Sequence, residues 1–200
     1  MKRIAAVLIA LFLAILPAAA QEVTEPSSGV KFALKRGDLS LLGVGLRTRT
    51  VFKVKVYAIA LYVADSALAG PLAVHKSSLD SPAFYRDLIG GDFAKEVHLR
   101  FIRDVDQGTI QEAMRDALAG ADRAKTDTFV SYFPEIKADQ QCVIRWVPGG
   151  TLETVMAGKP KPPIADRHFA AAVFAVWLGE KPIQEDIKKG LVSRAPVLIK

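Results

Sequence analysis

The sequence predicts an α+β domain in which a large antiparallel sheet carries its helices on one side. Three observations lead there. Segments such as Phe52–Val56 and Lys95–Ile102 alternate apolar with polar residues, the period of two that a strand requires. Segments such as Ile110–Ala121 and Arg167–Leu178 place apolar residues at helical spacing. The two kinds follow one another as strands, helices, strands, helices, an order that segregates helices from an antiparallel sheet.

Residues 1–20 read as an export leader. Lys2 and Arg3 precede an apolar run from Ile4 to Ile15, and Pro17 and Ala18-Ala19-Ala20 form a small-residue cleavage site before Gln21. A membrane anchor needs about 20 apolar residues, which this run lacks. The mature domain is therefore expected to span residues 21–200, to be periplasmic or secreted, and to have no membrane span. Gln21–Ser28 is polar and is expected to be a loose arm.

Val30–Leu34 predicts a short first strand, and Arg36-Gly37-Asp38 a turn. The chain then enters Leu42–Val63, the stretch around which the domain is organised, read as one central strand. It opens with Gly43-x-Gly45 and carries Arg47 and Arg49. Phe52, Val54 and Val56 alternate with Lys53 and Lys55, and beyond Val56 the segment is apolar throughout. Beyond it, Gly70-Pro71 interrupts Ala64–Val74, so no long helix is expected there. Pro82–Ile89 predicts a short helix capped by Ser81 and closed by Gly90-Gly91.

In the strand Lys95–Ile102, Val97, Leu99 and Phe101 share one face and Glu96, His98 and Arg100 the other. Thr109 with Glu112 has capping-box spacing ahead of a stripe of Ile110, Ala113, Met114, Ala117, Leu118 and Ala121. Thr128–Phe133 adds a further helical turn. Gln141–Val147 and Thr151–Met156 are two strands joined by Pro148-Gly149-Gly150. Asp166 is placed to cap Arg167–Leu178, an almost wholly apolar and hence buried helix, with Gly179 as a left-handed stop. Pro182 starts a final amphipathic helix, Ile183–Leu191.

Composition excludes several functions. Of 27 Lys and Arg, two lie in the leader, leaving 25 against 21 acids. That charge is modest and spread out, so no nucleic-acid partner is expected. Cys142 is the single cysteine, so no intrachain disulfide forms; in phase with Ile144 and Trp146 it reads as a small buried hydrophobe. His75, His98 and His168 lack companions at metal-ligand spacing and read as surface or helix-start residues. No phosphate loop, Gly-x-Ser-x-Gly or dinucleotide fingerprint occurs. No metal, no cofactor and no catalytic residue is assigned, and a monomer is expected.

Gly43-Val44-Gly45-Leu46-Arg47 followed by Val56-Tyr57-Ala58-Ile59-Ala60-Leu61-Tyr62 resembles the signature of the chalcone isomerase-like family, in particular its secreted bacterial branch. Leu99–Asp104, Pro148–Thr151 and Phe169–Gly179 agree in order. The resemblance covers most of the mature chain. It implies an open-faced β-sandwich, a large sheet backed by a layer of helices.

Arg47 resembles the family's arginine, which holds the phenolate or carboxylate of the ligand. The alternative is a solvated or salt-bridged strand arginine, and Arg49 is the competitor for the role. Guanidinium suits the task because its planar fork stays charged and binds a carboxylate bidentately. Tyr57 resembles the position of a second hydroxyl near that arginine, a tyrosine in the fatty-acid-binding members; otherwise it is a core aromatic. Ten positions separate the two, about 33 Å along a straight strand at about 3.3 Å per residue, so sharing a ligand requires a bend.

In the plant isomerases the resemblance implies four further polar groups. Their positions fall on Tyr57 and near Ile110, Ala117 and Val176, where the expected threonine, tyrosine, asparagine and Ser/Thr are missing. The first expectation is therefore a non-catalytic binder of a fatty acid or similar amphipathic carboxylate. An isomerase of the intramolecular-lyase type on another substrate is the second, and a ligand-free partner-binding module the third.

Overall fold

The computed structural model describes residues 21–50 and 52–200. The expected leader over residues 1–20 lies outside the described residues. At the start of the domain, the expected loose arm is a strand, β1 (Glu22–Thr24), paired antiparallel with β2 (Lys31–Ala33). The turn between them is held by Glu25, whose carboxylate accepts from the Ser27 and Ser28 amides and the Ser28 hydroxyl.

The organising stretch is two strands and not one. After β3 (Lys35–Arg36), β4 runs over Leu39–Arg49 and β5 returns antiparallel over Val54–Ala64. The reversal is a tight turn in which the Lys53 amide donates to Thr50 O at 3.0 Å, with Thr50 and Lys53 both at positive φ. Neither is a glycine or asparagine, so the turn carries no residue that favours that backbone region. Phe52, read as a buried strand residue, stands at the tip and is 86% exposed.

The chain continues through α1 (Asp65–Ala69) and a 3₁₀ turn at Ala73–His75 to α2 (Pro82–Gly90), capped as expected by Ser81. β6 (Lys95–Phe101) is followed by α3 (Gln107–Ala117) and α4 (Arg123–Ser131). Asp106 and not Thr109 caps α3, its carboxylate accepting from the Thr109 amide at 2.8 Å. β7 (Gln141–Val147) and β8 (Thr151–Met156) form the expected hairpin, with Gly149 and Gly150 at positive φ. Short β9 (Lys159–Pro160) and β10 (Ile164–Ala165) lead to α5 (Arg167–Leu178), capped by Asp166. Gly179 ends α5 in extended backbone, not left-handed. The last helices are α6 (Glu185–Leu191), shorter than expected, and α7 (Ala195–Leu198).

The sheet is antiparallel throughout, in the order β10-β8-β7-β6-β5-β4-β3 with β9 on β8. Its helix-facing rows, such as Ile59, Leu99 and Cys142 or Leu61, Val97 and Ile144, are buried under α5 and α6. Burial pushes the Cys142 thiol pKa up, in keeping with an inert core position. The opposite face of β6 is not wet. Glu96 is wholly buried and bonded to Arg36, Arg145 and His98. Tyr62 packs edge to face with His98 and donates to Ala33 O in the N-terminal hairpin. Among the described residues no helix is long and apolar enough to cross a membrane.

Candidate functional site

The β4–β5 hairpin brings Arg47 and Tyr57 together. They are direct cross-strand partners, so their side chains leave the same face of the sheet. The register slips between Arg47 and Thr48, leaving Val56 as the extra residue of a bulge. Val56 and Tyr57 consequently both turn toward one cleft of about 370 Å³, within the range of about 300–1,000 Å³ usual for small-molecule sites. Arg49, two residues from Arg47 on the same face, lines it as well. The two arginines are companions at one site.

Arg47 is half-buried and held from the side. Its Nη1 donates to Ile183 O at 3.2 Å and to Gln184 Oε1 at 3.3 Å. Among the described residues Nε and Nη2 have no partner, which leaves one edge of the guanidinium fork for a ligand. Gln184 completes the open edge of β4: its Oε1 accepts from the Thr48 amide at 3.1 Å and its Nε2 donates to Leu46 O at 3.3 Å. The Gly-x-Gly makes this possible. A Cβ on Gly43 would stand 2.1 Å from Gly190 O, and one on Gly45 3.2 Å from Ile187 Cα, so α6 lies backbone against backbone on β4. These glycines seat a helix; they do not cradle a ligand.

Tyr57 is the buried end of the cleft. Its hydroxyl accepts from Trp177 Nε1 at 3.1 Å, and among the described residues this is its one hydrogen bond. Burial pushes its pKa up to about 12, against the opposing effects of the Trp177 bond and the Arg47 charge. The phenol therefore keeps its proton at neutral pH. Among the described residues its hydroxyl proton has no acceptor.

The remaining wall is apolar. α3 contributes Ile110, Ala113, Met114 and Ala117, α5 contributes Val176, and Val105 and Ile183 close the sides. Ile110, Ala117 and Val176, near which the resemblance implies the isomerases' polar groups, line this cleft together with Tyr57. Thr109, whose hydroxyl is engaged by the Asp106 carboxylate at the α3 cap, lines the cleft as well. Arg49 and Lys181 are exposed there beside Asp116, and neither cation forms an ion pair among the described residues.

Sequence reading missed Trp177 and Gln184 as site residues, and Lys181 with them. The first two act across separations of 120 and 137 residues, which no local pattern encodes. The histidine assignments need correction. His75 and His98 are buried and bonded to Asp87 at 2.7 Å and Glu96 at 2.9 Å; only His168 is an exposed helix-start residue. Among the described residues no group of three or more His, Cys, Asp or Glu is placed to hold a metal.

Comparison with known proteins places this geometry in context. A family model described as chalcone isomerase-like matches residues 20–193. Fatty-acid-binding protein 2 of Arabidopsis thaliana is 24% identical over 208 aligned positions, covering 90% of this chain and 52% of that protein. The chain thus spans about half the length of that relative. Chalcone–flavanone isomerase of Phaseolus vulgaris is 24% identical over 169 positions, covering 73% of this chain and 76% of its own. The crystal structure of the Arabidopsis thaliana fatty-acid binding protein AtFAP1 superposes with a TM-score of 0.76 at 20% identity, over 90% of this chain and 99% of that one. That likeness establishes the curled antiparallel sheet backed by helices as a shared fold. With a family model spanning nearly all of the described residues, the chain belongs to the chalcone isomerase-like family.

Proposed function

We propose that the protein binds a fatty acid or similar amphipathic carboxylate and does not convert it. The observation that carries this reading is the pairing of Arg47 with Tyr57 in a cleft whose inner walls on α3 and α5 are apolar. A carboxylate there accepts from the free edge of the Arg47 guanidinium and from the Tyr57 hydroxyl, while its chain lies against Ile110, Met114 and Val176. Arg49 and Lys181 at the rim draw an anion toward the mouth. The name of the Arabidopsis fatty-acid-binding relative supports the same ligand class.

Cyclisation of a chalcone needs its oxyanion held and the developing enolate stabilised by several donors. The cleft wall is apolar at Ile110, Ala117 and Val176, near which the resemblance implies those donors, and this argues against that reaction. A ligand-free partner module is disfavoured by the cleft itself. Export belongs to the same proposal, on the strength of Lys2-Arg3, the apolar run after them and Ala18-Ala19-Ala20. Intact mass of the protein from its native source tests it, with a chain starting at Gln21 expected.

Mass spectrometry of the purified protein after mild denaturation tests the ligand class. A co-purified long-chain carboxylate is expected in wild type and is lost in Arg47→Ala. An absorbance assay with a chalcone runs beside it. Rapid turnover would make the protein an isomerase and end the binder reading.

A further inference from the structure

The tip of the β4–β5 hairpin has a composition that the ligand site does not use. Phe52 is 86% exposed, the most exposed large hydrophobic of the described residues, and it does not line the cleft. A single exposed apolar residue means little by itself. Its surroundings are what distinguish it. Lys53 adjoins it in the same tight turn, and Arg49, Thr50, Val54 and Arg103 border a second hollow of about 230 Å³ at the base of the turn.

Among the described residues Arg49, Lys53 and Arg103 form no ion pair. The carboxylates nearby are otherwise engaged: Asp104 binds Lys137 and the Ala138 amide, and Asp106 caps α3. This second hollow shares Arg49, Val56, Val105 and Thr109 with the ligand cleft, so the tip and the cleft mouth lie at the same end of the domain. Asp104 and Asp106 line that hollow too, so the net excess of positive charge lies with Arg49 and Lys53 toward the tip; an aromatic side chain projecting beyond cations that form no ion pair fits a surface that is anionic outside and apolar beneath.

We propose that this hairpin tip docks the protein on an anionic phospholipid bilayer, with Phe52 inserted among the acyl chains and Arg49, Lys53 and Arg103 on the headgroups. The cleft mouth then faces the membrane in which an amphipathic carboxylate partitions. The inference rests on the proposed ligand for its purpose but on the hairpin alone for its geometry.

Vesicle sedimentation of the purified protein tests it. Wild type is expected to bind vesicles of phosphatidylcholine mixed with phosphatidylglycerol, to bind phosphatidylcholine alone far more weakly, and to be released by high salt. Phe52→Ser and Lys53→Glu each weaken binding to the mixed vesicles roughly tenfold or more. Both variants retain wild-type melting temperature and wild-type affinity for a fluorescent fatty acid in solution, since neither residue lines the cleft. Equal sedimentation of all three proteins, or none by wild type, overturns the docking surface and leaves the ligand reading standing. A wild-type dimer that Phe52→Ser dissociates also overturns it, because a second copy and not a lipid then covers the tip. Loss of fatty-acid binding in wild type with vesicle binding intact overturns the ligand instead.

Discussion

Replacing Lys95 by methionine removes an ammonium that has no exposed surface. Lys95 lies on the helix-facing side of β6, its Nζ donating to Gly91 O at 2.8 Å and standing 4.1 Å from the Trp146 ring centroid, 4.5 Å from Phe93 and 5.5 Å from Phe174. Burial pushes its pKa from 10.5 down to about 7, helped by Arg167 and opposed by Asp92. Between about pH 7 and 10.5 the unfolded chain holds a proton that the folded chain has released, so stability rises with pH across that window. The full interval corresponds to about 5 kcal/mol at about 1.4 kcal/mol per pH unit, and about 2 kcal/mol of it falls between pH 7 and 9. The three rings favour the ammonium by about 0.5–2 kcal/mol each where desolvated, so about 2 kcal/mol is an upper figure for the change. Urea denaturation at pH 6.5, 8 and 9 is the assay. Wild type should gain on Lys95→Met as pH rises, with the variant the more stable of the two at pH 6.5. A difference that stays flat across the series would show that the cage holds the lysine charged and would refute the reasoning.

Gly43→Ala should destabilise the fold by about 1–3 kcal/mol or more, because Gly190 O and the Leu191 backbone occupy the space a methyl needs. Gly90→Ala, where nothing lies within 4 Å, should be neutral or stabilising, and a chemical melt of the two variants separates the cases. Burial alone would raise the Glu96 pKa, but the hydrogen bonds from His98, Arg36 and Arg145 outweigh it and hold the carboxyl at about 2. Its contribution is therefore complete above about pH 4.5 and lost as pH falls toward 2. Glu96→Gln should cost about 3 kcal/mol at pH 7, and the deficit should shrink steadily in urea melts between pH 4.5 and 2.

What the sequence made legible is where local chemistry decides structure. α5 was readable to the residue because Asp166 caps its start and apolar residues fill its length, and the β7–β8 hairpin because Gly149 and Gly150 take positive φ. The β4–β5 reversal was not, since Thr50 and Lys53 enter the left-handed region with no side-chain preference for it. That one turn decides whether Arg47 and Tyr57 lie far apart or face to face. Glu96 and His98 looked wet because period two marks a polar face without revealing that Tyr62 and the β1–β2 hairpin cover it. Gly43-x-Gly45 was legible as a motif, but its reason, the seating of α6, depends on a contact with Gly190 at the far end of the chain.

The most direct test of the paired Arg47–Tyr57 site is titration with a fluorescent fatty acid of wild type, Arg47→Ala, Arg47→Lys, Tyr57→Phe and the double variant Arg47→Ala/Tyr57→Phe. A hydrogen bond to a charged group contributes about 1.5–3 kcal/mol, so each truncation should weaken binding roughly tenfold to over a hundredfold. Arg47→Lys should recover only part, because an ammonium cannot fork. The double variant should lose less than the product of the two single losses, since both groups serve one carboxylate. Melting curves of each variant keep folding separate from binding, Tyr57→Phe in particular, which leaves Trp177 Nε1 without its acceptor. Equal affinity in all five proteins would remove both residues from the site and contradict the account.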